Sequence, residues 1–381
     1  MLWSKQERVE AVFNHEIPDQ IPIFECLLND GILEHFGGKH IKAGDAEDFT
    51  RACAKCLDVC HPLWLPEEPR IEKDSDYLYR SKKAGSLFWN KWGFFPGFTK
   101  KYERWTNWII ERPFKTDDEC VKWIKEQIEK EEAWQPDDNF VENYRQRVAI
   151  MKKWKGDMVY PDIYTMDGLY KDYLLVGMEK FVYIYYDHPE LIRRWVKITN
   201  ERILRKLEVK LRYHDFPVAM IWSDLAAKGG LLFSPGMLED ICYPYLKEII
   251  DLLHSRNFKV IFHSDGDMAK ALPVLVDKLH IDGFNTVEVG AGMNVRQVKE
   301  EYGDRLVLMG GMDADILARG TKEQVVTETK KLIDTAGKNG GLLIASSIGE
   351  LNNSMPTENI LTYFETVWDY GRYPTGGENK R

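Results

Sequence analysis

The run Val260-Ile261-Phe262-His263-Ser264-Asp265-Gly266-Asp267 sets an imidazole and a carboxylate at the end of an apolar, β-branched stretch. Side chains alternate along a strand, so His263 and Asp265 face the same side, two residues apart. An imidazole beside a carboxylate can pass a proton or share an ion with it. Other apolar runs end in the same way, on Glu25, Asp162, Asp224 and Glu288. Asp313 follows the Gly310-Gly311-Met312 turn, and Ser346, Ser347 and Glu350 follow the last run. If these runs are parallel strands of one barrel, their carboxyl ends converge on one acidic mouth with a single histidine among them.

Two chemistries suit such a mouth. Clustered carboxylates raise one another's proton affinity, which fits general acid–base catalysis by Asp224, His263 and Asp265. Alternatively, His263, Asp265 and Glu288 could ligate a metal such as zinc and use it as a Lewis acid. Glu25, Asp162, Glu288, Asp313 and Ser346 are then expected to line the substrate. Lys228 and Arg70 are the basic residues best placed to meet an anionic group, and His61 ends another apolar run, before Pro62.

The elements that must hold these residues follow a regular rhythm. Strands are expected over 158–162, 218–224, 259–265, 283–288, 306–310 and 342–346, with two more upstream over 21–25 and 57–63. Helices with clear start signals lie between them. Ser4 with Glu7 and Thr321 with Gln324 form capping boxes, and Ser234-Pro235 opens a helix over 237–255. Asp187-His188-Pro189 leads into another, reaching about residue 212. Eight strand–helix units point to an α/β fold, a single (β/α)8 TIM barrel occupying 1–381 as one domain.

One segment breaks the rhythm. Between 70 and 116 the chain is dense in aromatics, among them Tyr77, Phe88, Trp89, Trp92, Phe94, Phe95 and Trp105, punctuated by Gly85, Gly93 and Gly97. This reads as an insertion of β-hairpins, either a flap packed on the barrel or a lid lining its mouth.

Composition narrows the function classes. The 381 residues are 44% hydrophobic and 30% charged, the balance of a soluble globular protein. A net charge of −9 and the lack of a basic stripe disfavour nucleic acid or an anionic membrane as partner. Nothing near Met1 resembles a signal peptide, so a cytoplasmic location and six reduced thiols are expected. Cys53, Cys56 and Cys60 fall on one helix face, where they could share a metal or simply fill the core. Gly310-Gly311 and Gly340-Gly341 are too short for a phosphate loop, and the serines lack a nucleophile elbow.

Five motifs carry a resemblance to a known family. They are Asn14-His15-Glu16-Ile17-Pro18-Asp19-Gln20-Ile21-Pro22-Ile23, the stretch from Trp222-Ser223-Asp224 to Phe233-Ser234-Pro235, and Phe262-His263-Ser264-Asp265-Gly266. The turn Gly310-Gly311-Met312-Asp313 and the late run Pro356-Thr357-Glu358-Asn359-Ile360 complete the set. With them the chain resembles the uroporphyrinogen decarboxylase superfamily, which includes corrinoid-dependent methyltransferases. The resemblance implies one (β/α)8 barrel with its site at the mouth.

Two departures refine what it implies. The decarboxylases carry an arginine-rich motif after the first strand that grips a polycarboxylate. Here Phe24-Glu25-Cys26-Leu27-Leu28-Asn29-Asp30 stands there, and the next arginine is Arg51. The coenzyme M methyltransferases hold zinc through a His-x-Cys pair and a distant cysteine. In this chain Asp265 replaces the first, and Ala345-Ser346-Ser347-Ile348-Gly349 supplies no second. The resemblance therefore implies the methyltransferase-like branch acting on an ether, amine or related donor. Its expected cofactor is a corrinoid (cobalamin) on a partner protein, with a methoxylated or methylamine compound as small substrate, while zinc stays open from the residue pattern alone. A homodimer is among the expected assemblies. The alternatives are a lyase acting on a less carboxylated substrate and a corrinoid- or tetrapyrrole-binding protein without turnover.

Overall fold

Alternation of side chains between two packed faces organises the chain. The computed structural model describes residues 3–41, 45–61, 71–73, 78–81, 98–102 and 107–374. Eight strands matter for the site: β1 (Phe24–Glu25), β2 (Val59–Cys60), β3 (Ile163–Met166), β4 (Val218–Trp222), β5 (Lys259–His263), β6 (Gly283–Val287), β7 (Val307–Met312) and β8 (Leu342–Ser346). Strands β3 to β8 form one parallel six-stranded sheet in the order β8-β7-β6-β5-β4-β3. β1 and β2 pair in parallel with each other; an isolated parallel bridge Ile23–Ile344 reaches β8, and another, Val59–Val159, reaches the segment ahead of β3. The expected α/β fold with a parallel sheet is present. Continuous ladders span six strands, and β1 and β2 form a separate pair.

Both faces of the sheet are buried, as parallel strands require. Ala219, Ile221, Val260, Phe262, Phe284 and Leu308 belong to the cluster shared with the helices. Their neighbours Val218, Met220, Ile261, Val307, Met309, Leu343 and Ala345 form a second cluster with Phe24, Val59 and Tyr164. Val9, Val12 and Phe13 of the first helix (Lys5–Phe13) join this inner cluster. Gly283 of β6 faces it too, since a Cβ there would lie 3.3 Å from Phe13 and 3.5 Å from both Ile261 and Met309. Each large apolar side chain buried this way contributes roughly 1.5–3 kcal/mol.

The start signals read from sequence correspond to real caps. Ser4–Glu7 and Thr321–Gln324 close capping boxes, and Ser234 caps a helix with Pro235 at its first turn. That helix breaks into Pro235–Ile241 and Tyr243–His254, because Pro244 cannot donate within a continuous helix. The strand expected over 158–162 begins instead at Ile163, after Pro161, which has no N–H for the ladder.

Within the aromatic insertion, Ile71–Lys73, Leu78–Ser81, Thr99–Tyr102 and Asn107–Glu111 form an antiparallel sheet in that order. Tyr77, Phe88, Trp89, Trp92, Phe94, Phe95, Trp105, Arg70 and the three glycines lie outside the described residues. Phe98 is buried edge-on against Trp123, at 5.8 Å between ring centres. Among the described residues, no helix is long and apolar enough to cross a membrane.

Candidate active site

Strand register brings the site together. β5 pairs residue by residue with β4 and β6, so His263 lies between Trp222 and Asn285 at the carboxyl edge of the sheet. His263 continues the inner face begun by Ile261, and Asp265 follows two residues on. The chain then turns at Gly266 (φ 90°), where a Cβ would lie 2.5 Å from the backbone of Ala226 and Ala227. Only glycine fits that approach.

Asp224, His263 and Asp265 converge. One ligand-type atom from each lies within 4.8 Å of the others, the group of three that the described residues offer to a metal. His263 Nε2 stands 3.8 Å from Asp224 Oδ1 and 3.7 Å from Asp265 Oδ1. These separations exceed hydrogen-bond length. His263 is 1% exposed, whereas the side chains of Asp224 and Asp265 are 25% and 46% exposed. The imidazole thus forms a buried floor beneath two carboxylates that reach solvent. Its Nε2 and Asp265 Oδ1 are both buried without a hydrogen-bond partner.

Neighbouring side chains fix the geometry. Nδ1 of His263 lies 2.6 Å from Asn285 Oδ1, and the Trp222 ring lies over the imidazole at 3.8 Å between centres. Tyr170 donates to Asp224 Oδ2 at 2.9 Å and Trp222 Nε1 donates to the same oxygen at 3.2 Å. Tyr173 donates to the Asp224 carbonyl at 2.8 Å. Gly349 (φ 68°) lies close against the ring, since a Cβ there would sit 3.2 Å from His263 Cε1.

Electrostatics at this edge are unbalanced. Burial pushes the Asp265 carboxyl up, repulsion from Asp224, Glu288 and Glu350 adds to it, and only His263 opposes, leaving it at about 6. A carboxyl in that range can hold and release a proton near neutral pH.

The other expected site residues are placed differently. Glu288 is not part of the three-residue group; its Oε2 accepts from the Gly266 amide at 2.6 Å and braces the turn. Glu25 and Ser346 meet each other, with the Ser346 amide donating at 2.7 Å and its hydroxyl at 2.9 Å to the two carboxyl oxygens. Both are fully buried, and burial raises Glu25 to about 8. Asp313 caps the helix Ala314–Arg319 by accepting from the Asp315 amide. Asp162 is at the opposite end of the sheet from His263: it precedes β3 and accepts from the Asp215 amide, because the strand starts later than expected. Lys228 is exposed. Cys53, Cys56 and Cys60 are buried free thiols, with Cys56 Sγ hydrogen-bonded to the helix carbonyls of Ala52 and Cys53.

Tyr170, Trp222 and Asn285 escaped the sequence reading. Asn285 had a legible signal, a polar residue in the middle of an apolar strand. Tyr170 had none, since it reaches the site from the helix Gly168–Val176. That helix is capped by the buried Asp167, whose carboxyl burial lifts to about 6.

Comparison with known proteins follows the same lines. No curated protein matches the chain. A methyltransferase from Methanosarcina mazei has a similar solved structure, with a TM-score of 0.64 and 16% identity over 97% of this chain and 99% of that one. At that identity the likeness speaks for the fold. The model of the uroporphyrinogen decarboxylase (URO-D) family matches residues 173–370, a span that includes Asp224, His263, Asp265 and Asn285. On that match, over more than half its length, the chain belongs to the uroporphyrinogen decarboxylase family.

Proposed function

We propose that this chain is a methyltransferase that moves a methyl group between a small donor, an ether or amine, and a corrinoid carried by a partner protein. One observation carries the reading: a buried imidazole with an unpartnered Nε2 stands beneath two solvent-reaching carboxylates at the carboxyl edge of a parallel sheet. That edge is where enzymes of this architecture work. The Methanosarcina protein whose fold this chain shares is a methyltransferase, which favours this reading.

Removing a methyl group from oxygen or nitrogen is hard because the departing heteroatom carries developing negative charge. In this reading Asp265, whose carboxyl is raised to about 6, gives a proton to that atom. Asp224 is held still by Tyr170 and Trp222, so it can orient the donor rather than swing away. Trp222 also covers the imidazole and keeps water from it.

The same three residues fit a divalent metal such as zinc. Their ligand atoms are mutually close, Nε2 is orphaned, and Nδ1 is already committed to Asn285. Asp224, His263 and Asp265 would hold it, and it would supply Lewis acidity to the leaving heteroatom. In that state the carboxylates serve as ligands rather than acids.

A decarboxylase reading meets an obstacle in the charge of the mouth, where acidic groups repel a polycarboxylate. The test is direct. Purified protein is mixed with reduced cobalamin and a panel of methoxyarenes and methylamines, and methylcobalamin is followed by absorbance. The proposal expects formation with at least one donor. No formation with any, together with carbon dioxide release from candidate acids, would replace it with the lyase.

A further inference from the structure

We propose that Asn285 is a positioning residue that fixes the tautomer of His263, turning the Asp224–His263–Asp265 cluster into an acceptor-only face for a divalent cation. His263 and Asn285 are register partners on adjacent strands, so their side chains stand next to each other. The amide oxygen of Asn285 lies 2.6 Å from Nδ1. A carbonyl oxygen only accepts, so whenever the imidazole is neutral its ring hydrogen is on Nδ1 and a lone pair is presented at Nε2.

That lone pair faces two more acceptors. Asp224 Oδ1 and Asp265 Oδ1 stand 3.8 and 3.7 Å away, and Nε2 and Asp265 Oδ1 are both buried without a partner. Buried polar atoms are nearly always satisfied, and three acceptors cannot satisfy one another. A cation resolves this. The three ligand atoms lie within 4.8 Å of one another, a spacing that one divalent cation could bridge.

The ring has little freedom to choose otherwise. Trp222 lies over it at 3.8 Å, and Gly349 approaches its Cε1. With the orientation set by packing, the choice of protonated nitrogen falls to Asn285. This inference does not depend on methyl transfer.

The test uses chelator-treated full-length protein labelled with ¹⁵N-histidine, at a pH well above the usual histidine range. His263 is identified by the resonances missing from His263→Gln. Wild type is expected to show a protonated Nδ1 and a bare Nε2, and Asn285→Asp, which keeps the acceptor, to show the same. Asn285→Leu is expected to lose that preference and to bind Co²⁺ about 10–100-fold more weakly, while Asn285→Asp binds at least as tightly as wild type. If the leucine variant does not fold, as judged by circular dichroism, Asn285→Ser takes its place.

An Nε2-protonated ring in wild type would overturn the proposal, because the Asn285 amide would then donate to Nδ1. So would Co²⁺ affinity within about twofold of wild type in the leucine or serine variant, or no Co²⁺ binding by wild type. Failure of the cobalamin assay with the tautomer as expected would sink the methyl-transfer reading alone.

Discussion

Two clusters of charge in this chain are completed to different degrees. Glu131, on the helix Asp117–Ala133, is fully buried; Lys171 Nζ lies 2.8 Å from one of its oxygens and Arg202 2.6 Å from the other. Burial pushes its carboxyl up, but the two cations outweigh that and bring it down to about 2. At the mouth, Asp265 experiences burial and three carboxylate neighbours against one histidine, and rises to about 6. In the first arrangement the carboxylate is answered by two cations of the protein. The second is left open toward solvent, and an unanswered charge there is available to a substrate or an ion.

The closed cluster should therefore matter to stability and the open one to chemistry. Removing the answering carboxylate in Glu131→Gln leaves the part-buried Lys171 and Arg202 without it. That variant should lose about 3–5 kcal/mol in denaturant unfolding while its Co²⁺ affinity stays that of wild type. A stable Glu131→Gln would break the contrast.

Glu25 sharpens it, being buried without a cation. Its carboxyl keeps a proton up to about pH 8 in the folded chain, whereas the unfolded chain releases it near 4.5. The folded state therefore binds the extra proton between those values, and this contribution to stability is lost as pH rises through the window. Glu25→Gln cannot ionise. Relative to wild type, its unfolding free energy should improve by about 2–4 kcal/mol between pH 4.5 and 8. Parallel curves for the two proteins would show that Glu25 is charged in the folded state.

The smallest effect is expected at Tyr170. Tyr170→Phe removes one of two donors to Asp224 Oδ2 and should cost about 1 kcal/mol, or roughly fivefold in kcat/KM, with a small change in Tm. A loss confined to Tm would make Tyr170 a packing residue only.

How much of this was legible in the sequence depended on the range of the interaction. Strands announced themselves because burial on both faces demands runs such as Val260-Ile261-Phe262, and caps because Ser4–Glu7 and Thr321–Gln324 act within one turn. The pairing of His263 with Asp265 needed only the two-residue strand period. Asp162 was misplaced by a register question that Pro161 decides, and one shifted strand moved it to the opposite edge. Glu288 and Asp224 could not be ranked as partners of His263, since that depends on where the turn at Gly266 points Asp265. Tyr170 arrives from another element altogether, and no local pattern encodes such a meeting.

The most direct measurement compares wild type with His263→Gln in the cobalamin assay, using the best donor of the panel and confirming the fold by circular dichroism. The account predicts methylcobalamin formation slowed by at least about 100-fold in the folded variant. Formation at the wild-type rate would contradict it and move the reaction away from this imidazole.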